Sequence, residues 1–212
     1  MSRPFRSMTA MALLWWLLLA AQPAGQSPLV GRWDAEARSG GGLGIWFELA
    51  DQGACQQTVG AMVDATWSLE GEGLTVSIPN PAGQPVVQHA SVSFQGPTLT
   101  EVFEGLPKPM TRWGPSPAAP SIVGVWSYPH PAGGTAYEEY TEDGRMLFRL
   151  PIKTTSCRWT VDADRLALTV GKESTKSRWR IAGDTLTMEA ETGARTFRRE
   201  RAGAIPPAPS AK

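Results

Sequence analysis

The sequence predicts an all-β protein, two consecutive small up-and-down antiparallel β-barrels of about eight short strands each. Three observations lead there. A unit opening on Leu29-Val30-Gly31-Arg32-Trp33 returns as Ile122-Val123-Gly124-Val125-Trp126. Hydrophobic residues within both copies alternate with a period of two. Glycine (22) and proline (18) punctuate the 212 residues at short intervals, and tryptophan (9) is unusually common. Many short strands joined by tight turns account for all three; a helical bundle accounts for none.

Taken in order, the chain begins with an address. Arg3 and Arg6 form a basic flank, and residues 11–21 (MALLWWLLLAA) form an apolar core of the length a signal segment needs. That core is shorter than the roughly 20 residues of a membrane span. Ala20, Ala21 and Ala24 offer small residues for cleavage. Residues 1–24 therefore read as a signal peptide and the protein as exported, periplasmic or secreted, with no stable membrane span after removal. An uncleaved N-terminal anchor is the alternative.

The two copies then align in order. Glu48-Leu49-Ala50-Asp51-Gln52-Gly53 falls on Glu139-Tyr140-Thr141-Glu142-Asp143-Gly144, and Trp67-Ser68-Leu69 on Trp159-Thr160-Val161. Leu74-Thr75-Val76-Ser77-Ile78 matches Leu166-Ala167-Leu168-Thr169-Val170. Phe94-Gln95-Gly96-Pro97-Thr98-Leu99-Thr100 matches Ile181-Ala182-Gly183-Asp184-Thr185-Leu186-Thr187, and Arg112 falls on Arg198. Apolar residues alternating with small polar ones mark strands with one buried and one wet face. Eight meandering strands lose their exposed edges by closing into a barrel. Each copy thus reads as its own domain, residues 28–114 and 122–201. The proline-rich residues 115–121 link them, and residues 202–212 read as a disordered tail.

Acidic and basic residues balance at 20 each, so no long-range field points to nucleic acid or to an anionic membrane. The balance is uneven along the chain: residues 28–114 carry 4 basic and 9 acidic side chains, residues 121–201 carry 13 and 11. Opposite net signs favour docking of the two copies. Cys55 and Cys157 fit an oxidising compartment. Either they pair, stapling one domain to the other, or they are two buried thiols. Their separation matches no metal-ligand spacing, and no metal or cofactor is expected.

A closed barrel needs a floor. A large aromatic at the start of the first strand can supply it, with an arginine of the last strand laid over the ring. The expected pairs are Trp33 with Arg112 and Trp126 with Arg198. This constellation resembles the lipocalin and wider calycin group. Each copy is more closely similar to the short bacterial lipocalin-like domains, with their Val-Gly-x-Trp opening, Asp-Gly turn, later Trp and Gly-Asp-x-Leu-Thr hairpin. The second copy has all of these; the first departs with Asp51-Gln52-Gly53 and Gly96-Pro97-Thr98-Leu99-Thr100. The resemblance implies a cup for small apolar ligands. Strands of about six residues span only about 20 Å, so an interior filled by its own side chains is the alternative.

Three residues stand out as candidate ligand contacts. By alternation Glu101 shares a face with Leu99 and Phe103, which would place its carboxylate inside, where it needs a partner or could orient a ligand's polar group; a strand that frays or shifts register and leaves Glu101 wet is the alternative. Trp46 and Tyr137, in matched places after glycine loops, could form a mouth; packing between domains is the alternative. Glu138, Glu139, Glu142 and Asp143 read as a solvated acidic run. His130, between prolines, has no acid or nucleophile placed with it, and no catalytic set is legible. The functional expectation is an exported, non-enzymatic binding module for a small apolar ligand. Its competitor is a protein-interaction or scaffold module of the cell envelope, including an inhibitor-like role, with solid barrels and an envelope protein as partner.

Overall fold

A computed structural model describes residues 27–80, 82–115 and 117–200 of the chain. The expected signal peptide and tail lie outside these residues. The first copy forms β1 (Gly31–Ala35), β2 (Leu43–Leu49), β3 (Ala54–Glu70), β4 (Gly73–Asn80), β5 (Gly83–Gln95), β6 (Thr98–Phe103) and β7 (Leu106–Trp113). The second forms β8 (Gly124–Pro129), β9 (Thr135–Tyr140), β10 (Arg145–Asp162), β11 (Arg165–Val170), β12 (Glu173–Ala182), β13 (Thr185–Ala190) and β14 (Gly193–Glu200). One 3-10 turn, Asp51–Gly53, interrupts the fourteen strands. The fold is all-β, as the alternation required. Each copy contributes seven strands, however, where about eight were expected.

The pairing explains the difference. All neighbours are antiparallel, consecutive strands pair throughout, and β14 returns to pair β1. One further ladder, thirteen residue pairs between β3 and β10, cuts across this ring. It divides the sheet into two circuits of eight strands. The first is β1, β2, β3, β10, β11, β12, β13 and β14. The second is β3 to β10 in unbroken order. Each copy was expected to close on itself; instead each circuit takes strands from both. The boundary at residues 115–121 separates the sequence repeats, not the cores, and joins the paired strands β7 and β8.

Strand length is the physical reason. β3 has 17 residues and β10 has 18, against 5 to 13 for the other strands. At about 3.3 Å per residue each runs more than 50 Å, far beyond the height of a small closed sheet. Half of each serves one circuit and half the other. The crossover point is marked in the sequence. Pro151 cannot donate to the ladder, and the register slips between Pro151 and Lys153. Opposite it lies Gly60, where a Cβ would stand 2.3 Å from the Leu150 carbonyl oxygen and 2.8 Å from the Trp46 ring. Only glycine allows that approach.

The buried residues confirm the division. One core gathers Trp33, Phe47, Leu49, Trp159, Leu166, Leu168, Leu186 and Phe197 inside the first circuit. The other gathers Leu74, Val76, Val92, Leu99, Met110, Trp126, Tyr140 and Met146 inside the second. Matched tryptophans cross between copies: Trp67 Nε1 donates to the Thr141 carbonyl (3.2 Å) and Trp159 Nε1 to the Ala50 carbonyl (3.0 Å). Cys55 and Cys157 form a disulfide between directly facing residues of β3 and β10, with a Cα separation of 4.8 Å. In the second circuit the equivalent facing pair is Ala65 and Met146.

Shared cores make a specific prediction. A protease site placed in residues 115–121 and cut in the folded protein leaves two fragments that stay together after the disulfide is reduced. Size-exclusion chromatography under reducing conditions checks this; two separate fragment peaks would mean that each copy closes alone.

Candidate functional site

Both indole floors exist, with exchanged partners. Trp33 faces Arg199, whose guanidinium carbon lies 4.1 Å from the ring centroid. Trp126 faces Arg112 at 4.2 Å. The expected pairs, Trp33 with Arg112 and Trp126 with Arg198, are therefore corrected on two counts. Closure across copies gives each indole the other copy's arginine. The alignment at β14 was also one residue out, so Arg198 points to the opposite face and reaches Glu36 at 3.8 Å. The remaining geometry is duplicated. Each indole donates to the carbonyl four residues before it, Leu29 or Ile122, at 2.7 Å. Each arginine also donates to the carbonyls that lead into the indole's strand, Val30 and Pro28 before β1 or Val123 and Ser121 before β8. The glycine of Gly-x-Trp has φ near +130° in both copies, and a Cβ there would meet the arginine at 3.0 Å (Gly31) or 2.2 Å (Gly124). Glycine clears the space the cation fills.

Inside the second circuit Glu101 is buried, as the alternation predicted, and it is not alone. Lys108 Nζ lies 2.6 Å from one Glu101 oxygen, and the Tyr140 hydroxyl donates to the other at 2.6 Å. Glu138 completes the cluster: it accepts from Lys108 at 2.8 and 3.0 Å, from the Tyr128 hydroxyl at 2.8 Å and from Tyr140 at 3.2 Å. Glu138 was expected on a solvated edge, but it is buried on the inner face of β9 while Glu139 takes the outer face. Two carboxylates thus share one ammonium. Burial and the neighbouring Glu138 raise the Glu101 carboxyl above its ordinary range, against the pull of Lys108. Burial and the same carboxylates raise the Tyr128 and Tyr140 phenols, which remain protonated donors. The cluster can hold or share a proton. Its hydrogen-bonding capacity is largely taken up within itself.

The first circuit is built differently. Its interior carries two hollows, about 330 Å³ and 420 Å³, which share Phe47, Arg195 and Phe197 as lining. Phe47 and Phe197 meet across the interior with ring centroids 5.6 Å apart. Leu168, Val170 and Met188 line one hollow; Leu43, Ile45 and Val59 line the other.

Trp46 and Tyr137 form no mouth. Both are buried on outer faces, Trp46 under the Arg32 guanidinium (5.2 Å) and Tyr137 edge-on to Trp113 (6.3 Å). Between the circuits sits Arg149, fully buried, which donates to Asp34 (2.9 Å), Asp64 (2.8 Å) and two backbone carbonyls. Burial alone would raise the Asp64 carboxyl, but Arg149 and Arg38 outweigh it and hold that group below its ordinary range. Nearby, burial and the Asp34 charge push the Glu200 carboxyl up to about 7. His130 lies in the β8–β9 loop against Tyr128 and Phe148, with ring centroids 6.3 and 5.9 Å away. Among the described residues no group of three or more His, Cys, Asp and Glu is placed to hold a metal ion.

Comparison with protein-family models, with curated proteins and with solved structures gave no match. The class of protein is therefore set by geometry: an all-β, fourteen-strand antiparallel sheet with two cores, one closed by an ion cluster and one hollow.

Two predictions follow from the charges. Replacing Lys108 by Met leaves Glu101 and Glu138 buried without a cation. The expected loss at neutral pH is about 3 kcal/mol, shrinking toward pH 4 as a carboxyl takes up a proton; urea unfolding at both pH values measures it. Glu200 binds its proton more tightly when folded than when unfolded. Its contribution is full below about pH 4.5 and is lost as the pH rises through about 7. Glu200→Gln, a neutral isostere, should match the parent at pH 4 and exceed it at pH 8, by on the order of 2–3 kcal/mol.

Proposed function

We infer that the protein is a non-enzymatic binding module that takes a small apolar ligand in a cup formed by the first circuit. The observation that carries this reading is the pair of hollows around Phe47 and Phe197. Their volumes fall at the lower end of those that hold small ligands; the wall of the larger is mainly apolar, and that of the smaller mixes Phe47, Leu168, Val170, Met188 and Phe197 with polar Gln57, Thr175 and Ser177. Such a cup is what the resemblance to lipocalin-like barrels leads one to expect, with one change. The expectation gave each copy its own cup. The pairing instead assembles a single hollow interior from β1, β2 and part of β3 of one copy and from β10 to β14 of the other. The second interior, carrying Glu101, Lys108 and Glu138, acts as the solid partner that holds the cup's walls. Glu101 is then a structural residue rather than a ligand contact. Export to the periplasm or beyond is part of the same reading, supported by the N-terminal sequence and by the disulfide across β3 and β10.

A second reading has its own support. β5 pairs β6 only from Ala90 onward, so among the described residues its earlier part has β4 as its one strand neighbour. That edge carries exposed Val86 and Val87, with exposed Phe103 and Leu106 on the adjoining hairpin. An open edge with apolar side chains suits addition of a strand from an envelope protein.

Titration with a small apolar fluorophore separates the two. Binding to the cup gives saturable, one-to-one fluorescence that is abolished by Met188→Trp, which fills the hollow, and is untouched by Val86→Lys. Fluorescence insensitive to Met188→Trp would remove the cup reading.

A further inference from the structure

The two interiors are built on one plan, and their differences fall at matched places. In the second circuit the inner face of β7 carries Arg112, Met110 and Lys108, facing Trp126, Leu99 and Glu101. In the first, β14 carries Arg199, Phe197 and Arg195, facing Trp33, Leu186 and Met188. Arg195 is therefore the counterpart of Lys108, and Met188 that of Glu101. The cross-strand neighbour of each floor indole makes the third match: Glu138 beside Trp126, Phe47 beside Trp33.

A cation thus stands at the same level of both interiors. In the second it is neutralised by two carboxylates of the chain, at 2.6 and 2.8 Å. In the first those two carboxylates are replaced by a methionine and a phenylalanine, and Arg195 makes no hydrogen bond or ion pair among the described residues. The hollows open at that level, and Arg195 lines both. We propose that the cup selects an amphiphile with a single carboxylate head, which takes on Arg195 the place that Glu101 and Glu138 take on Lys108, while its apolar body lies against Phe47 and Phe197. This rests on the cup reading above and adds to it the chemical class of the ligand.

The chemistry favours a carboxylate. A guanidinium presents a planar fork that matches two carboxylate oxygens, and its charge is permanent. Depth sets the body. From Arg195 to Phe197 is two strand residues, about 7 Å, and below Phe197 the interior is packed by Trp33, Leu166 and Leu186, so the body lies across the two hollows rather than down to the floor. A medium-length chain fits; a long one would protrude. Glu173 also lines one hollow, and it would favour an amine head if it, rather than Arg195, governed selection. Arg38, lining the other, is engaged with Asp64 at 3.4 Å.

Isothermal titration of the full chain at neutral pH and low salt with decanoate, 1-decanol and decylamine, each below its aggregation limit, tests the proposal. Decanoate is expected to bind at least tenfold more tightly than the alcohol or the amine. Arg195→Gln should remove that advantage, so that decanoate and decanol bind this variant with similar affinity, and Arg195→Lys should keep most of it. Arg195 is exposed and unpaired, so both variants should melt with the parent. Equal affinity for acid and alcohol, preference for the amine, or indifference to Arg195→Gln would each overturn the carboxylate assignment and leave the cup standing. No binding of any of the three would remove the cup as well.

Discussion

Everything in this fold hangs on the ladder between β3 and β10. Neither strand belongs to one core. Their thirteen paired residues are the common wall of two circuits, each of which would have an open edge without the other. Four devices hold the ladder in place. The Cys55–Cys157 disulfide ties it inside the first circuit, closing a loop of 102 residues, which in a chain-entropy account is worth on the order of 4–5 kcal/mol. Thr58 and Thr154 hydroxyls meet across it at 3.0 Å. Gly60 and the slip at Pro151 let it pass from one circuit to the next. Arg149 fastens it from outside to β1, through Asp34. That last contact joins a basic residue of the second copy to an acidic one of the first, in the sense of the uneven charge along the sequence. Buried ion pairs of this kind rarely add net stability over an apolar contact, but losing one partner is costly. Arg149 therefore fixes how the circuits meet more than it glues them.

Much of this was legible in the residues. Alternation with a period of two fixes which side chains face inward, and it placed Trp33, Trp126 and Glu101 in interiors. The repeat fixed the floor chemistry, since Gly-x-Trp and a late arginine occur twice. What alternation cannot fix is the neighbour. In a duplicated meander, β7 can close on β1 or continue to β8, and both choices bury the same faces. The sequence signal that decides it is length: residues 54–70 and 145–162 are too long for one small circuit, although the repeat marks them only around Trp67 and Trp159. The misplacement of Arg198 has the simpler cause of a one-residue offset, which flips a side chain to the other face of a strand.

The cluster around Glu101 was half legible. The carboxylate itself stood out because its inner-face neighbours are apolar. Its partners did not, because Glu138 and Tyr140 come from the other copy and reach it through the β7–β8 pairing, which alternation does not specify. Glu138 also sat in a run of four acidic residues, where charge density suggested solvent. Its own alternation, Ala136, Glu138, Tyr140 on one face and Tyr137, Glu139 on the other, carried the correct signal. The hollow in the first circuit had no such marker, since Phe47, Met188 and Phe197 look like any core residues.

Exchange of strands between copies changes what each interior is free to become. If each copy closed alone, both would need a core adequate to hold seven strands, and a hollow would weaken the body that contains it. With a shared wall, packing in one circuit orders strands that also bound the other. The second interior packs aromatic rings and aliphatic side chains around a cluster whose hydrogen bonds close on one another. The first gives up volume beside Phe47 and Phe197, and the disulfide sits in that circuit's wall, while the facing pair at the equivalent place in the second circuit is Ala65 and Met146. The covalent tie and the hollow thus occur together. That is the arrangement expected where packing given up beside an open hollow is offset by constraint elsewhere in the same wall. It also gives a physical reason for the two interiors to differ at matched positions.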